Sequence, residues 1–318
     1  MEEVSKGVWR VTFPLPWELD HVHAYLLESE NGWIVVDTGL GSPEVCDQWA
    51  ALIDKLDSPV VQIIVTHFHP DHIGAAGYLA GLTRATVFQG ELDYQTSQRV
   101  WGDTDWSIRL AGWYEMHGID PSLAGQVIHE AAELREKVLW PNDPVFIYPG
   151  DRVAAAGEEW EFFPMPGHAD GQLVLFGTST QRMIAGDHIL KPITPNIGLH
   201  PESLGDPLGD YLESLDLTVT LCPSVAFGGH RDPVLHVSDR ARELKSHHAD
   251  RLEETLVAVG KRSVTAYEVS LELFGIELST HGRRFAVAET LSHLARLEVG
   301  GSLERFSDGK LVHWRSIR

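Results

Sequence analysis

Residues 66–72 read Thr-His-Phe-His-Pro-Asp-His, and this run restricts the fold more than any other part of the chain. Four side chains able to hold a metal, His67, His69, Asp71 and His72, fall within six positions. They follow Val60-Val61-Gln62-Ile63-Ile64-Val65, an apolar run that reads as a buried strand. Alternate residues of an extended chain point to one side, so His67 and His69 share a face. Pro70 suits the first position of a helix, and Asp71 to Leu79 carries one. The cluster therefore lies in a strand-to-helix loop. Crowding imidazoles and a carboxylate there is costly without a cation. Nitrogen and oxygen donors without thiolate suit zinc, and also iron or manganese.

Further donors come later, each after a short apolar run and beside glycine, where the backbone can turn sharply. They are His168 in Pro166-Gly167-His168, Asp187 in Ile184-Ala185-Gly186-Asp187, and His230 in Phe227-Gly228-Gly229-His230. The His-x-His-x-Asp-His run, followed in order by His168, Asp187 and His230, resembles the metallo-β-lactamase superfamily of hydrolases. Asp37, in Ile34-Val35-Val36-Asp37-Thr38-Gly39, matches an early strand-and-turn motif of that family. The resemblance covers roughly residues 5 to 235. It implies a four-layer αββα sandwich with a two-metal site along one edge. It also implies that His67, His69 and His168 hold a first metal, that Asp71, His72 and His230 hold a second, and that Asp187 bridges them. Asp37 would position the metal loop rather than bind metal.

The implied chemistry is hydrolysis. A hydroxide shared by two cations would attack a carbonyl or phosphoryl centre, and Asp71 would take a proton after attack. Each ligand histidine needs an acceptor for its other ring nitrogen, with Asp37 and Asp170 as the candidates. Lactamases of the clinically important type carry a cysteine at the second site. Cys222 lies eight residues before His230 and fits no ligand position, so penicillin hydrolysis is disfavoured. Flavo-diiron relatives carry Glu where this chain has His69. A dinuclear zinc hydrolase of a small ester, thioester or lactone is the first expectation. A phosphodiesterase or ribonuclease on the same site is an alternative, and a mononuclear iron persulfide dioxygenase is another. The complete second set of ligands opposes the last of these.

Among 318 residues, 46 are acidic and 25 basic, a net charge of −21. Phosphate contacts need Lys and Arg, so this balance opposes a nucleic-acid partner and favours a small-molecule substrate. The chain has no apolar run of about 18 residues, so no membrane helix is expected. The N-terminus lacks an apolar signal core, and two cysteines make no disulfide framework. A cytoplasmic enzyme follows as the expectation.

Residues 1–237 read as the catalytic domain, with short strands at Val8–Phe13, His23–Leu27 and Trp33–Asp37. A helix opens at Gly41-Ser42-Pro43 and ends near Leu56, and another spans Asp206–Leu217. His21 and His23 face either the pocket or the surface. Residues 92–144 read as a helical insertion rich in aromatics, among them Tyr94, Trp101, Trp106, Trp113, Tyr114 and Trp140. It makes a local core, a lid over the metals, or both. The loop 189–200 carries Lys191, Thr194, Asn196 and His200, as substrate contacts or as solvent-facing groups. Residues 238–318 read as helices (Ala241–Val259, Thr265–Leu273, Arg283–Leu297) and a terminal hairpin turning at Asp308-Gly309. This winged-helix-like module resembles that of the lactamase-β-2-like branch. Its basic residues, from Lys261 to Arg318, are scattered among acids. That favours a packing role, with a homodimer surface as one form of it.

Overall fold

The computed structural model describes residues 1–317; Arg318 lies outside the described residues. The first sheet holds β1 (Glu2–Ser5), β2 (Val8–Pro14), β3 (His21–Ser29), β4 (Gly32–Val36), β5 (Val60–Val65), β6 (Thr86–Gly90) and β7 (Val145–Ile147), side by side in that order. It is antiparallel from β1 to β4 and parallel from β4 to β7. The second sheet is built from β8 (Arg152–Ala155), β9 (Glu158–Pro164), β10 (Leu173–Gly177), β11 (Arg182–Gly186) and β12 (Val225–Gly228), in the order β12-β11-β10-β9-β8. β10 runs against β9 and β11, and β12 runs with β11. Hence β9, β11 and β12 point the same way.

Period-two alternation produces the layers. In β3 and β4, Tyr25, Leu27, Ile34 and Val36 face Trp160, Phe162, Leu175 and Phe227 of the other sheet. Their neighbours Leu26 and Val35 face outward, onto α1 (Pro43–Ile53), which contributes Val45 and Trp49, and onto Leu79. The short α2 (Pro70–Ile73) and α3 (Ala76–Thr83), which carries Leu79, complete that layer. Against the far face of the second sheet, Met183 and Ala185 pack on Leu208, Tyr211 and Leu215 of α7 (Pro207–Leu221). The result is the expected αββα sandwich. α1 stops at Ile53, short of Leu56, and α7 runs one turn past Leu217.

The segment between β6 and β7 is the helical insertion: α4 (Glu91–Ser97), a π-helical turn at Gln98–Gly102, α5 (Trp106–Met116) and α6 (Pro121–Arg135). Its core is not local. Leu110, Tyr114, Ala124 and Val127 pack against Val287, Leu291 and Leu294, Val264, and Trp314. These belong to the C-terminal part: α8 (Val237–Val259), α9 (Ala266–Phe274), α10 (Thr280–Val299) and the antiparallel hairpin β13 (Leu303–Ser307)–β14 (Val312–Ser316). Helices followed by a hairpin match the order read from the sequence. Several of the module's basic residues are spoken for. Arg262, Arg305 and Arg315 pair with Glu272, Glu298 and Glu304. Buried Arg283 donates to Ser270 O and Gly275 O, closing the end of α9.

Between α7, α8 and α10 lies a buried histidine pair. His293 Nδ1 donates to Glu289 O, leaving Nε2 to accept from His248 Nδ1 at 3.2 Å. Burial holds His248 down to about 3 and His293 down to about 4. The unfolded chain therefore takes up these protons first as pH falls. The stability they contribute is complete above about pH 6.5 and is lost toward pH 4, at about 1.4 kcal/mol per pH unit for each group. Urea midpoints at pH 7.5 and 5 should show this loss, and His248→Phe should flatten the slope. An unchanged slope in that variant would remove the pair as the source.

Candidate metal centre

Apart from Asp71 and His72, which sit in α2, each predicted site residue follows the C-terminal end of a strand. Asp37 follows β4, His67 and His69 follow β5, His168 follows β9, Asp187 follows β11, and His230 follows β12. Because these strands run in common directions within each sheet, their exits gather along one edge of the sandwich. Hydrogen bonds across the sheets close that edge. His23 N donates to Gly229 O at 2.7 Å, Tyr25 Oη to Gly228 O at 2.6 Å, and Leu173 N to Thr66 O at 3.0 Å.

The seven predicted donors meet there. Ligating atoms of His67, His69 and His168 lie within 4.8 Å of one another, as do those of Asp71, His72 and His230, and those of His67, His72 and Asp187. Asp187 touches both groups. Its Oδ2 lies 3.6 Å from His168 Nε2 and 3.2 Å from His230 Nε2, while Oδ1 is 3.4 Å from His72 Nε2. Gly229 permits this approach: a Cβ there would sit 2.5 Å from Asp187 Oδ1 and 2.6 Å from His72 Cε1.

The outward ring nitrogens set the tautomers. His72 Nδ1 donates to Asp37 Oδ2, His168 Nδ1 to Asn196 O, and His230 Nδ1 to His21 O, at 2.7–2.8 Å. His67 Nδ1 donates to Thr66 Oγ1, which in turn donates to Asp37 Oδ2. His168 Nε2 accepts from His69 Nδ1 at 2.8 Å, and four of the other inner atoms are bare. His67 Nε2, His72 Nε2, His230 Nε2 and Asp187 Oδ1 are buried and have no hydrogen-bond partner. Buried acceptors cost free energy unless something electropositive meets them, and these converge on one space. The donor set fits divalent metal ions.

The carboxylates draw positive charge to this place, onto the rings themselves when no cation is there. Burial opposes charge on every member, yet Asp187, Asp37 and Asp71 carry His72 well above its ordinary value, and Asp187 and Asp71 carry His230 to about 10. Despite burial, His72 and His230 hold Asp71 at about 2. Burial leads in keeping His67, His69 and His168 low, so they remain neutral donors. The carboxylates bring negative charge that a cation would balance.

Asp37 binds nothing in the centre itself. It sits at φ 59°, in the left-handed region, and its carboxylate accepts from Thr66 N, Thr66 Oγ1 and His72 Nδ1, each at 2.8 Å. Asp170, the other candidate acceptor, accepts instead from Leu204 N at 2.8 Å and orients no histidine. His21 acts through its backbone carbonyl, and His23 bonds Arg231 O and Thr12. The sequence reading missed Asp93. This fully buried carboxylate accepts from Phe68 N at 3.0 Å and props the loop between His67 and His69. Nothing in its helix-start context, Gly90-Glu91-Leu92-Asp93, marks it out.

A cavity of about 550 Å³ opens from His69, Asp71, His168, Asp187 and His230. The insertion walls it with Val100, Trp101, Trp106, Leu110 and Tyr114, so these residues serve as core and wall at once. Of the loop 189–200, Thr194, Asn196 and His200 line it. Lys191 is exposed and outside the wall, because the chain turns it toward solvent. Sequence reasoning also missed the contribution of α10: His281, Arg284 and Phe285 line the cavity, and His281 stacks on Trp17 with ring centroids 5.5 Å apart. The same helix grips the loop that serves His168. Glu289 accepts from Asn196 Nδ2 at 3.2 Å, Ser292 Oγ donates to Ile197 O at 2.5 Å, and Leu199 N donates to Ala288 O at 3.0 Å.

Replacing Asp37 with Ala should leave His72 Nδ1 and Thr66 N without acceptors, at about 1–3 kcal/mol for each buried group. Metal affinity should fall about 10- to 100-fold, as for other groups that orient ligands. Chelator competition would check this; unchanged affinity would sink the orienting role.

The pattern described as the Metallo-beta-lactamase superfamily matches residues 17–230, and the Metallo-beta-lactamase-like, C-terminal domain matches residues 252–315. The chain is 24% identical to the probable metallo-hydrolase YqjP of Bacillus subtilis (strain 168), over 99% of each chain. It superposes on the metallo-beta-lactamase family protein TTHA1429 from Thermus thermophilus with a TM-score of 0.86, at 32% identity over 98% of each chain. For a beta-lactamase domain protein from Burkholderia ambifaria the TM-score is 0.89, at 29% identity over 99% of this chain and 93% of that one. With the donor cluster at the strand exits and both patterns matched in order, the chain belongs to the metallo-beta-lactamase superfamily, as a metal-dependent hydrolase carrying that family's C-terminal domain.

Proposed function

We propose that the enzyme is a dinuclear zinc hydrolase of a small ester, thioester or lactone with an apolar body. The observation that carries this reading is the position of Asp187 between two groups of inward-facing donors, His67, His69 and His168 on one side and Asp71, His72 and His230 on the other. Two divalent ions held in such a site supply a water of pKa near 7 and offset the charge that develops on the substrate. Neutral imidazoles and carboxylates without thiolate suit zinc, with iron or manganese as the alternatives.

The chain's own groups then divide the work. Asp71 lines the cavity 3.4 Å from His230 Nε2, where its carboxylate can take a proton from the attacking water and pass it to the leaving group. The aromatic and aliphatic wall seats an uncharged substrate body and excludes water from it. That wall and the net charge of −21 favour carbonyl substrates over the phosphodiesters of a nuclease. Among the described residues no helix is long and apolar enough to cross a membrane. Both cysteines are free, which suits the reducing cytoplasm as the site of action.

Metal analysis of protein purified without added metal or chelator should give two zinc ions per chain, and Asp187→Ala should lose both along with esterase activity. One iron per chain, with oxygen uptake on persulfides, would overturn the dinuclear hydrolase. Turnover of phosphodiesters in preference to esters, thioesters and lactones would transfer the same centre to a different substrate class.

A further inference from the structure

The cavity wall carries two arginines, Arg231 and Arg284. Arg231 pairs with Asp20 at 3.2 Å. Arg284, half-buried in the first turns of α10, lies with its guanidinium 5.4 Å from the Phe285 ring centre, and among the described residues no carboxylate pairs with it. Glu18, Asp170 and Glu202 also line the wall, and none forms an ion pair with it. Taking a guanidinium partly out of water without a partner is unfavourable. A chain with 46 acidic residues against 25 basic ones has abundant carboxylates to offer, so an unpaired cation facing this cavity asks for an explanation from its ligand. The two imidazoles beside it do not compete for the role. Burial first, and then Arg284 itself, hold His281 and His200 down to about 4, so both are neutral near pH 7.

We propose that Arg284 receives an oxyanion carried by the substrate apart from its scissile group, so that the substrate is an amphiphile with an apolar body and one anionic group. This rests on reading the metal centre as that of a hydrolase. The apolar part lies along Trp17, Phe68, Val100, Trp101, Trp106 and Phe285, which line the same cavity as the metal-facing donors. A planar guanidinium takes a carboxylate or phosphate through two parallel hydrogen bonds, and a lysine does so less well. The C-terminal domain then supplies a specificity determinant in addition to packing.

The test uses the full-length, metal-loaded protein. Thioesters of equal length ending in methyl, carboxylate or phosphate are assayed with wild type, Arg284→Met and Arg284→Lys. Wild type should prefer an anionic ester, and Arg284→Met should lower the anionic-to-neutral ratio of kcat/KM by about tenfold or more, mainly through KM, with partial recovery in Arg284→Lys. The better of the carboxylate and phosphate arms names the oxyanion. A ratio that Arg284→Met leaves unchanged overturns the proposal. If wild type cleaves none of the three, the thioester reading is at fault, and calorimetry with octanoate, octyl phosphate and octanol decides the anion site alone. Anion preference that depends on Arg284 supports it, and equal binding by wild type and Arg284→Met, both melting normally, overturns it.

Discussion

The geometry of this enzyme hangs on one carboxylate. Asp37 leaves β4 with a left-handed backbone, which aspartate tolerates better than most side chains. From that position it accepts from the end of β5 twice and from His72 once. One side chain thereby sets the separation of two strand exits, the path of the loop between them, and the tautomer of a histidine facing the centre. Thr66 extends the reach to His67. Without this anchor, rings that repel one another when charged would have little reason to converge.

Convergence itself is a consequence of direction. Strands β9, β11 and β12 end on the same side, and so do β4 and β5, so residues far apart in sequence exit into a common edge. Backbone bonds from His23 and Leu173 across the two sheets keep the edges in register, and glycine at position 229 removes the one side chain that would push Asp187 away from His72. Apolar packing between the sheets supplies the stability; the centre spends part of it on buried acceptors that only a cation can satisfy.

Much of this was legible beforehand, for physical reasons. Strands and helices announce themselves by period, so the sandwich, the insertion between β6 and β7, and the helices and hairpin of the C-terminal part could be read from residue patterns. The donors were legible because each is a histidine or aspartate beside glycine at the end of an apolar run. What escaped was tertiary. Asp93 is one acid among many until the Phe68 amide is seen to point at it. Asp170 resembled an acceptor for a histidine, yet its geometry serves Leu204. Lys191 lies in the right loop on its wrong side. The aromatics of the insertion read as a local core, a lid, or both; that Leu110, Tyr114 and Val127 share their core with α10 is something no local pattern reveals.

The grip of α10 on residues 196–199 has a consequence for how such enzymes diversify. The carbonyl that orients His168 belongs to a segment whose place is set by Glu289, Ala288 and Ser292, nearly a hundred residues further along the chain. A recombination event that grafts a foreign C-terminal domain onto this catalytic half exchanges more than a surface. It changes the floor on which one metal-facing imidazole stands, so chimeras between distant relatives should inherit the junction as a unit or lose the centre with it.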